Sequence, residues 1–279
     1  MVAAGLAAVA RRSLDASLQA TRFERETQRK WIVKSAETLL PELETFWETD
    51  SQSAPLITPI TASINPGEID LGHHRVRLVM ADEQAKANLN AVWGRHDPAV
   101  VRAKLSELIA SMGLQGPAEM RPVGSFESTA VGSESTWATF ASFEQLVPPD
   151  VLQEQLRKDT HQGDQTLLDS VTLWGDGRLR ADRSTPPALN MALAPMLSPS
   201  QIDEWISLQS ESAANSDPLS FDQLELTDRQ RELLAGLVTS TSNSYSVRVH
   251  MNDGRRHRTT MSVRTDDEEQ DARLIRFRW

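Results

Sequence analysis

From Ala3 to about Asp50 the sequence keeps helical character, with no glycine after Gly5. One helix of that length would extend about 70 Å, well past the width of a small domain, so part of it has to project. The apolar residues say which part. Ile32, Ala36, Leu39, Leu43 and Phe46 recur at alternating four- and three-residue steps, with Trp31, Leu40 and Trp47 beside them. That is a stripe wide enough to pack on a domain. Arg11 to Lys30 instead holds six basic and three acidic residues, with Leu14, Leu18 and Phe23 as its main apolar members. This half cannot bury a full face and is expected to stand out from the body. Pro41 removes a backbone donor and predicts a kink or restart.

The run opens on an apolar stretch, Met1 to Ala10, followed directly by Arg11 and Arg12. Ten residues of helix span about 15 Å, half of a bilayer core. No charged region precedes them, so they do not form a complete signal peptide. Two readings stand: the last turns of a membrane helix whose beginning is missing, or a short alanine-rich helix start.

After a polar connector at Ser51–Pro55, Leu56–Ile64 and Ile69–Met80 read as strands, with Asn65-Pro66-Gly67 as the turn between them. Val76, Leu78 and Met80 alternate with Arg75, Arg77 and Val79, giving one core face and one wetter face. Ala81–Trp93 breaks that alternation without setting up a helical stripe. Pro98–Gly113 reads as a helix capped by Asp97, its face formed by Val101, Leu105, Leu108 and Met112. Residues 116–135 are Gly/Ser/Pro-rich and read as a loop. Short helices are expected around Pro148-Pro149 and then across 186–237. Among the latter, Ile202, Trp205 and Ile206, and Leu233, Leu234 and Leu237, point inward, and Thr227 caps the last helix.

The tail reads as three antiparallel strands. Tyr245, Val247, Val249 and Met251 alternate with Ser244, Ser246, Arg248 and His250, Asn252-Asp253-Gly254 marks a hairpin, and Asp266–Asp271 is an acidic turn. The order is therefore long helix, two strands, a helical block of about 160 residues, three strands. This predicts an α+β fold in four parts: a stalk helix (1–50), the first part of a small antiparallel sheet domain (51–82), an inserted helical domain (83–240) and the second part of the sheet domain (241–279).

Catalytic chemistry finds little support. The chain has no cysteine, which excludes thiolate metal sites and thiol nucleophiles. There is no G-x-S-x-G, G-x-G-x-x-G or P-loop sequence; Gly132-Ser133-Glu134-Ser135 lacks the second glycine of a nucleophile elbow. His73 and His74, adjacent on a strand, would point to opposite faces and could not chelate one ion. Asp176, between two glycines, reads as a turn residue. Asp82, Glu83, Asn88 and Asn90 form the densest polar cluster near apolar neighbours, and read as a structural network joining sheet to insertion, with a ligand site as the alternative. A net charge of −10 disfavours a general nucleic-acid binder. Helix pairs at 186–237 suggest a helix-hairpin-helix module, but their connection Leu197-Ser198-Pro199-Ser200 has no glycine. A cytosolic adaptor pairing through its long helix is a further alternative.

Several stretches, in order along the chain, resemble the K-type minor pseudopilin family (general secretion pathway protein K). Trp31–Leu40 is similar to the end of that family's projecting helix, and Asp82–Asn90 (DEQAKANLN) to its stretch after the second strand. Phe143–Val147, Leu173–Arg178 with Ser184–Leu189, Asp217–Leu224 and Asn243–Met251 are similar to its later elements. The family's cleavable leader and most of its anchor helix are missing, and its Asn-x-Asn element is replaced by Arg180-Ala181-Asp182-Arg183. Either the start is set too far downstream or the anchor has been lost. The resemblance implies a non-enzymatic tip subunit of a type II secretion pseudopilus or related pilus. It would stand on the inner membrane through a truncated helix, with its head in the periplasm. Its partners would be other minor pseudopilins, met through helix residues Leu6, Val9, Leu14, Leu18 and Phe23; no nucleic acid and no cofactor are expected. Some relatives are described as calcium-binding. The acidic stretches 202–222 and 266–271 could hold calcium, although no D-x-[DN]-x-[DN]-G loop is present.

Overall fold

In the computed structural model, residues 2–41, 63–72, 74–114, 118–122, 124–127, 136–158, 166–194, 196–215, 221–254, 256–267 and 270–279 are described. The connector at 51–55, most of the expected strand 56–64 and the far end of the expected first helix lie outside these residues. Helix α1 (Val2–Glu37) ends before Pro41. A turn at Thr38 and Leu39 follows, and helical backbone returns at residues 40 and 41, as the missing proline donor requires.

The central feature is a five-stranded antiparallel sheet. Its strands are β1 (Ser63–Leu71), β2 (His74–Asp82), β7 (Ser244–Asn252), β8 (His257–Asp267) and β9 (Gln270–Arg278), in the order β1-β2-β7-β8-β9. Two strands thus come from before the helical block and three from after it. The chain is α+β, with a long N-terminal helix on an antiparallel sheet.

Helix α1 covers one face. Ile32, Val33, Ala36 and Leu40 pack there on Val76, Met80, Tyr245, Val247, Val249 and Met251. The packed stripe differs from the expected one: Val33 and Glu37 are buried, whereas Trp31 and Leu39 are 69% and 40% exposed. A helix is a cylinder and meets the face of a sheet along one stripe, so the flank of the apolar arc that carries Trp31 and Leu39 turns away from the strands.

The block between β2 and β7 covers the other face. It contains β3 (Ala87–Asn88), α2 (Leu89–Arg95), α3 (Pro98–Ser111), β4 (Gly124–Glu127), β5 (Thr136–Thr139), α4 (Pro149–Lys158) and α5 (Leu167–Ser170). Then come β6 (Val171–Thr172), α6 (Pro186–Leu193), α7 (Pro199–Asn215) and α8 (Asp228–Leu237). Its core is continuous with the sheet through Met261 and Val263. Trp174 joins the two, its ring 5.5 Å from Phe143 and 4.8 Å from Phe277. Elsewhere Trp205 stacks on Phe221 at 3.7 Å.

Several expectations are corrected. The face of β2 expected to be wetter is covered: Arg77 and Val79 are 7% and 4% exposed. For the same reason all of Ser244–His250 is buried. Asn65-Pro66-Gly67 is not a turn. β1 runs through it with a register shift between Ile64 and Gly67, and an edge strand tolerates a proline at such a bulge. The reversal comes at Gly72, whose φ of +60° splits the expected strand 69–80. Residues 116–135 include β4, paired antiparallel with β5, rather than loop alone. Leu233 is 47% exposed, not inward.

Candidate partner-binding face and the buried polar seam

Along α1, residues 11–20 are exposed without exception. Leu14 is 61% exposed and Leu18 49%. Five turns of a 3.6-residue helix separate Leu14 from Ile32, and the same five separate Leu18 from Ala36. The sheet-packing face of the helix therefore continues beyond the sheet with nothing upon it among the described residues. Leu6 and Val9 belong to the same helix by backbone; their side chains lie outside what is described.

A second uncovered surface flanks the packed stripe. Phe23, Thr27, Trp31, Ser35 and Leu39 form one four-residue ridge of α1, and with Ile69, Leu71, Val76 and Leu78 they line an open groove of about 780 Å³. Phe23 is 75% exposed, Ile69 54% and Leu71 44%. Two accessible aromatic rings over an aliphatic floor, beside the edge strand β1, have the composition of an interface centre. Gly72 sits at one end, where the Gln28 carboxamide comes within 3.1 Å of the position a Cβ would take. Of the helix residues singled out by sequence, Phe23 lines this groove and Leu14 and Leu18 stand beyond it. Trp31, which reads as core in the sequence, is part of the exposed surface.

The polar cluster lies elsewhere, on the seam between sheet and block. Asp82 ends β2 and caps a 3-10 turn (Glu83–Ala85), accepting from the backbone N–H groups of Gln84 and Ala85. Its other oxygen accepts from Ser242 at 2.6 Å and lies 3.5 Å from Arg180. Burial pushes its carboxyl above the ordinary range, against the pull of the Ser242 hydroxyl and Arg180. Glu83 is fully buried and accepts from Lys86, Thr172 and Ser246, each at 2.5 Å. Lys86 is equally buried, and desolvation pushes its ammonium down despite the opposing carboxylate of Glu83. Asn88 caps α2 through Ala91 N–H and donates to the Trp174 carbonyl at 2.8 Å. Asn90 donates to the carbonyls of Phe140 and Leu173 and accepts from Phe140 N–H.

Three further residues of this seam, Arg248, Asp169 and Gln84, are not singled out in the sequence, and Asp176 reads there only as a turn residue. Arg248, on β7 and fully buried, donates to Asp169 at 2.7 Å and to the Leu168 carbonyl at 3.1 Å. Gln84 donates to Asp176 and accepts from Asn243 N–H. Asp176 sits in a turn whose flanking glycines have φ of +95° and +82°. An alternating polar residue on a strand, as Arg248 reads, is ordinarily solvated; only the covering block makes it internal. Among the described residues no group of three or more potential metal-ligating side chains comes together. His74 is buried and His73 lies outside the described residues.

Asp169 gives the seam a pH signature. Burial alone would raise its carboxyl, but the charges of Arg248 and Lys86 and hydrogen bonds from Arg248 and Ser63 outweigh it and hold it at about 2. A carboxyl lowered on folding stabilises the fold above its unfolded value near 3.8, and that contribution disappears as pH falls through about 2. It amounts to about 2 kcal/mol. Asp82 works in the opposite sense, because its raised value relieves the fold on protonation. Asp169→Asn should therefore lower stability at pH 7 and flatten its loss between pH 4 and 2, as read by circular dichroism during acid titration. An unchanged acid profile would contradict this assignment.

No protein-family model and no curated protein matches the chain. Among the described residues no helix is long and apolar enough to cross a membrane. Among solved structures the chain is similar to a chain of the GspK–GspI–GspJ complex of the type 2 secretion system of enterotoxigenic Escherichia coli, at 14% identity over 93% of this chain and 98% of that one, with a TM-score of 0.47.

Proposed function

We propose that this chain is a non-enzymatic minor pseudopilin of the K type, the tip subunit of a type II secretion pseudopilus or related pilus. One observation carries the reading. A single helix serves as sheet cover at its C-terminal end and as a bare, partly apolar stalk at the other, and the sheet it covers is assembled around a large helical block. A stalk of this kind joins neighbours by side-to-side helix packing, and a bulky head blocks further addition at one end. The ordered sequence similarities to the K-type family support the same reading. Partners would be other minor pseudopilins, and the head would lie in the periplasm at the inner membrane.

The test is deletion of the gene, with complementation, together with affinity capture from detergent-solubilised membranes and from the salt-washed soluble fraction. Loss of protein export and capture of pilin-like subunits from the membrane fraction are expected. Undisturbed export with no such subunit captured would remove the proposal.

A further inference from the structure

On the opposite flank of α1 from the apolar groove, a second channel of about 330 Å³ runs between the helix and β9, lined by Arg29, Lys30, Val33, Lys34, Thr260, Arg276 and Arg278. Two carboxylates hold its ends. Glu37 accepts two hydrogen bonds from Arg276, both at 2.6 Å, and Glu26 pairs with Arg29 and lies 4.0 Å from Arg258. Lys30, Lys34 and Arg278 remain, and none has an ion-pair partner among the described residues. Lys30 and Lys34 stand four residues apart on one helix, where like charges repel. A chain with a net charge of −10 thus concentrates uncompensated positive charge in one groove, which focuses its field on anions.

The edge of the sheet beside this channel has matching backbone geometry. Trp279 exchanges both hydrogen bonds with Thr259, and Met261 pairs with Phe277 two residues on. In an antiparallel ladder the alternate residues, Arg276 and Arg278, therefore direct their N–H and C=O groups outward. No strand pairs with that edge among the described residues. The two residues with outward backbone groups are the same two whose guanidinium groups line the channel.

We propose that the α1–β9 channel docks an extended segment of a partner protein carrying carboxylates at alternate positions, which adds to the β9 edge and places its acidic side chains over Arg278, Lys34 and Lys30. Backbone pairing supplies the register, and opposite charges on one face supply selectivity. An anionic bilayer is the poorer match. Lys30 lies about 27 Å along the helix from the Arg11-Arg12 pair, a headgroup makes no use of a strand edge, and the chain as a whole carries a net charge of −10. The inference deepens the assembly-subunit reading, and rests on it for the existence of a partner.

The probe is a fluorescein-labelled octapeptide of alternating glutamate and threonine, titrated with the full chain at low salt and at about 0.15 M salt. Fluorescence anisotropy should show binding that weakens with salt and is absent for the lysine–threonine counterpart. Lys34→Glu and Arg278→Glu should each weaken it roughly tenfold with the urea midpoint unchanged. Arg278→Pro should lose more than Arg278→Ala, because it also removes an outward N–H. Binding indifferent to these variants would overturn the proposal, as would displacement of the peptide by inorganic phosphate or by phosphatidylglycerol vesicles at equal anion concentration. Failed peptide binding by a chain that still captures pilin-like subunits defeats the channel alone. Intact peptide binding without such capture defeats the assembly reading alone.

Discussion

Glu83→Leu should cost about 3–5 kcal/mol of folding stability, one of the largest losses expected from a single substitution in the molecule. The reason is what it leaves behind. Glu83 accepts hydrogen bonds from Lys86, Thr172 and Ser246 at a site closed to solvent, so its removal strands an ammonium group and two hydroxyls at once. Lys86, already pushed down by burial, would fall further and surrender its proton, which caps the loss. The sign of the pH dependence follows: an unfolded chain that binds more protons than the folded one gains relative stability as pH falls, so the deficit of Glu83→Leu should shrink from pH 7 to pH 9. Adding Lys86→Met should restore much of the stability, since an apolar pair of similar volume often matches a buried ion pair. Urea titrations with unchanged slope would measure both variants against the parent. A single variant within about 1 kcal/mol of the parent, or a double variant no better than the single, would show that the pair is not held as described.

The seam also shows where the sequence is readable and where it is not. The start of the last helix is legible to the residue, because Thr227 and Gln230 form a reciprocal cap there. The three strands β7 to β9 are legible as elements, and Gly254 takes the positive φ their first hairpin needs, but the acidic turn expected at 266–271 is narrower, since β8 reaches Asp267 and β9 begins at Gln270. These features depend on neighbours a few positions away. Arg248, Lys86 and Asp169 depend on partners brought together by the fold: Arg248 meets Asp169 across 79 positions, and Glu83 meets Ser246 across 163. No local pattern distinguishes a charged residue that will be covered from one that will not. Asp82, Glu83, Asn88 and Asn90 were conspicuous only because four polar groups crowd an otherwise apolar stretch. β4 and β5 were obscured by a glycine- and serine-rich composition, which describes a loop equally well until the two strands find each other. On α1 the period placed Ile32, Ala36 and Leu40 on the packed face, but the angle at which the helix meets the sheet buried Val33 and left Trp31 and Leu39 exposed, and no sequence pattern sets that angle.

That uncovered part carries the second large effect. Replacing Leu14 and Leu18 together by Glu, or Trp31 by Ala, should leave the isolated chain's circular dichroism and urea midpoint unchanged, because 61%, 49% and 69% of these residues are already in solvent. Capture of partner subunits should nevertheless fall by roughly thirtyfold or more in each case. The two variants probe different surfaces. Leu14 and Leu18 prolong the face that elsewhere grips the sheet, so acidic replacements there should prevent a neighbouring helix from packing along the stalk. Trp31 stands at the groove beside β1, and truncating its ring removes apolar lining against which a partner's ridge would sit. An aromatic anchor contributes by being desolvated, so Trp31→Phe should recover most of the capture lost in Trp31→Ala, whereas a purely conformational role would not distinguish the two replacements. If both surface variants capture partners as well as the parent chain does, the bare half of α1 and its groove are not the assembly face, however exposed they stand.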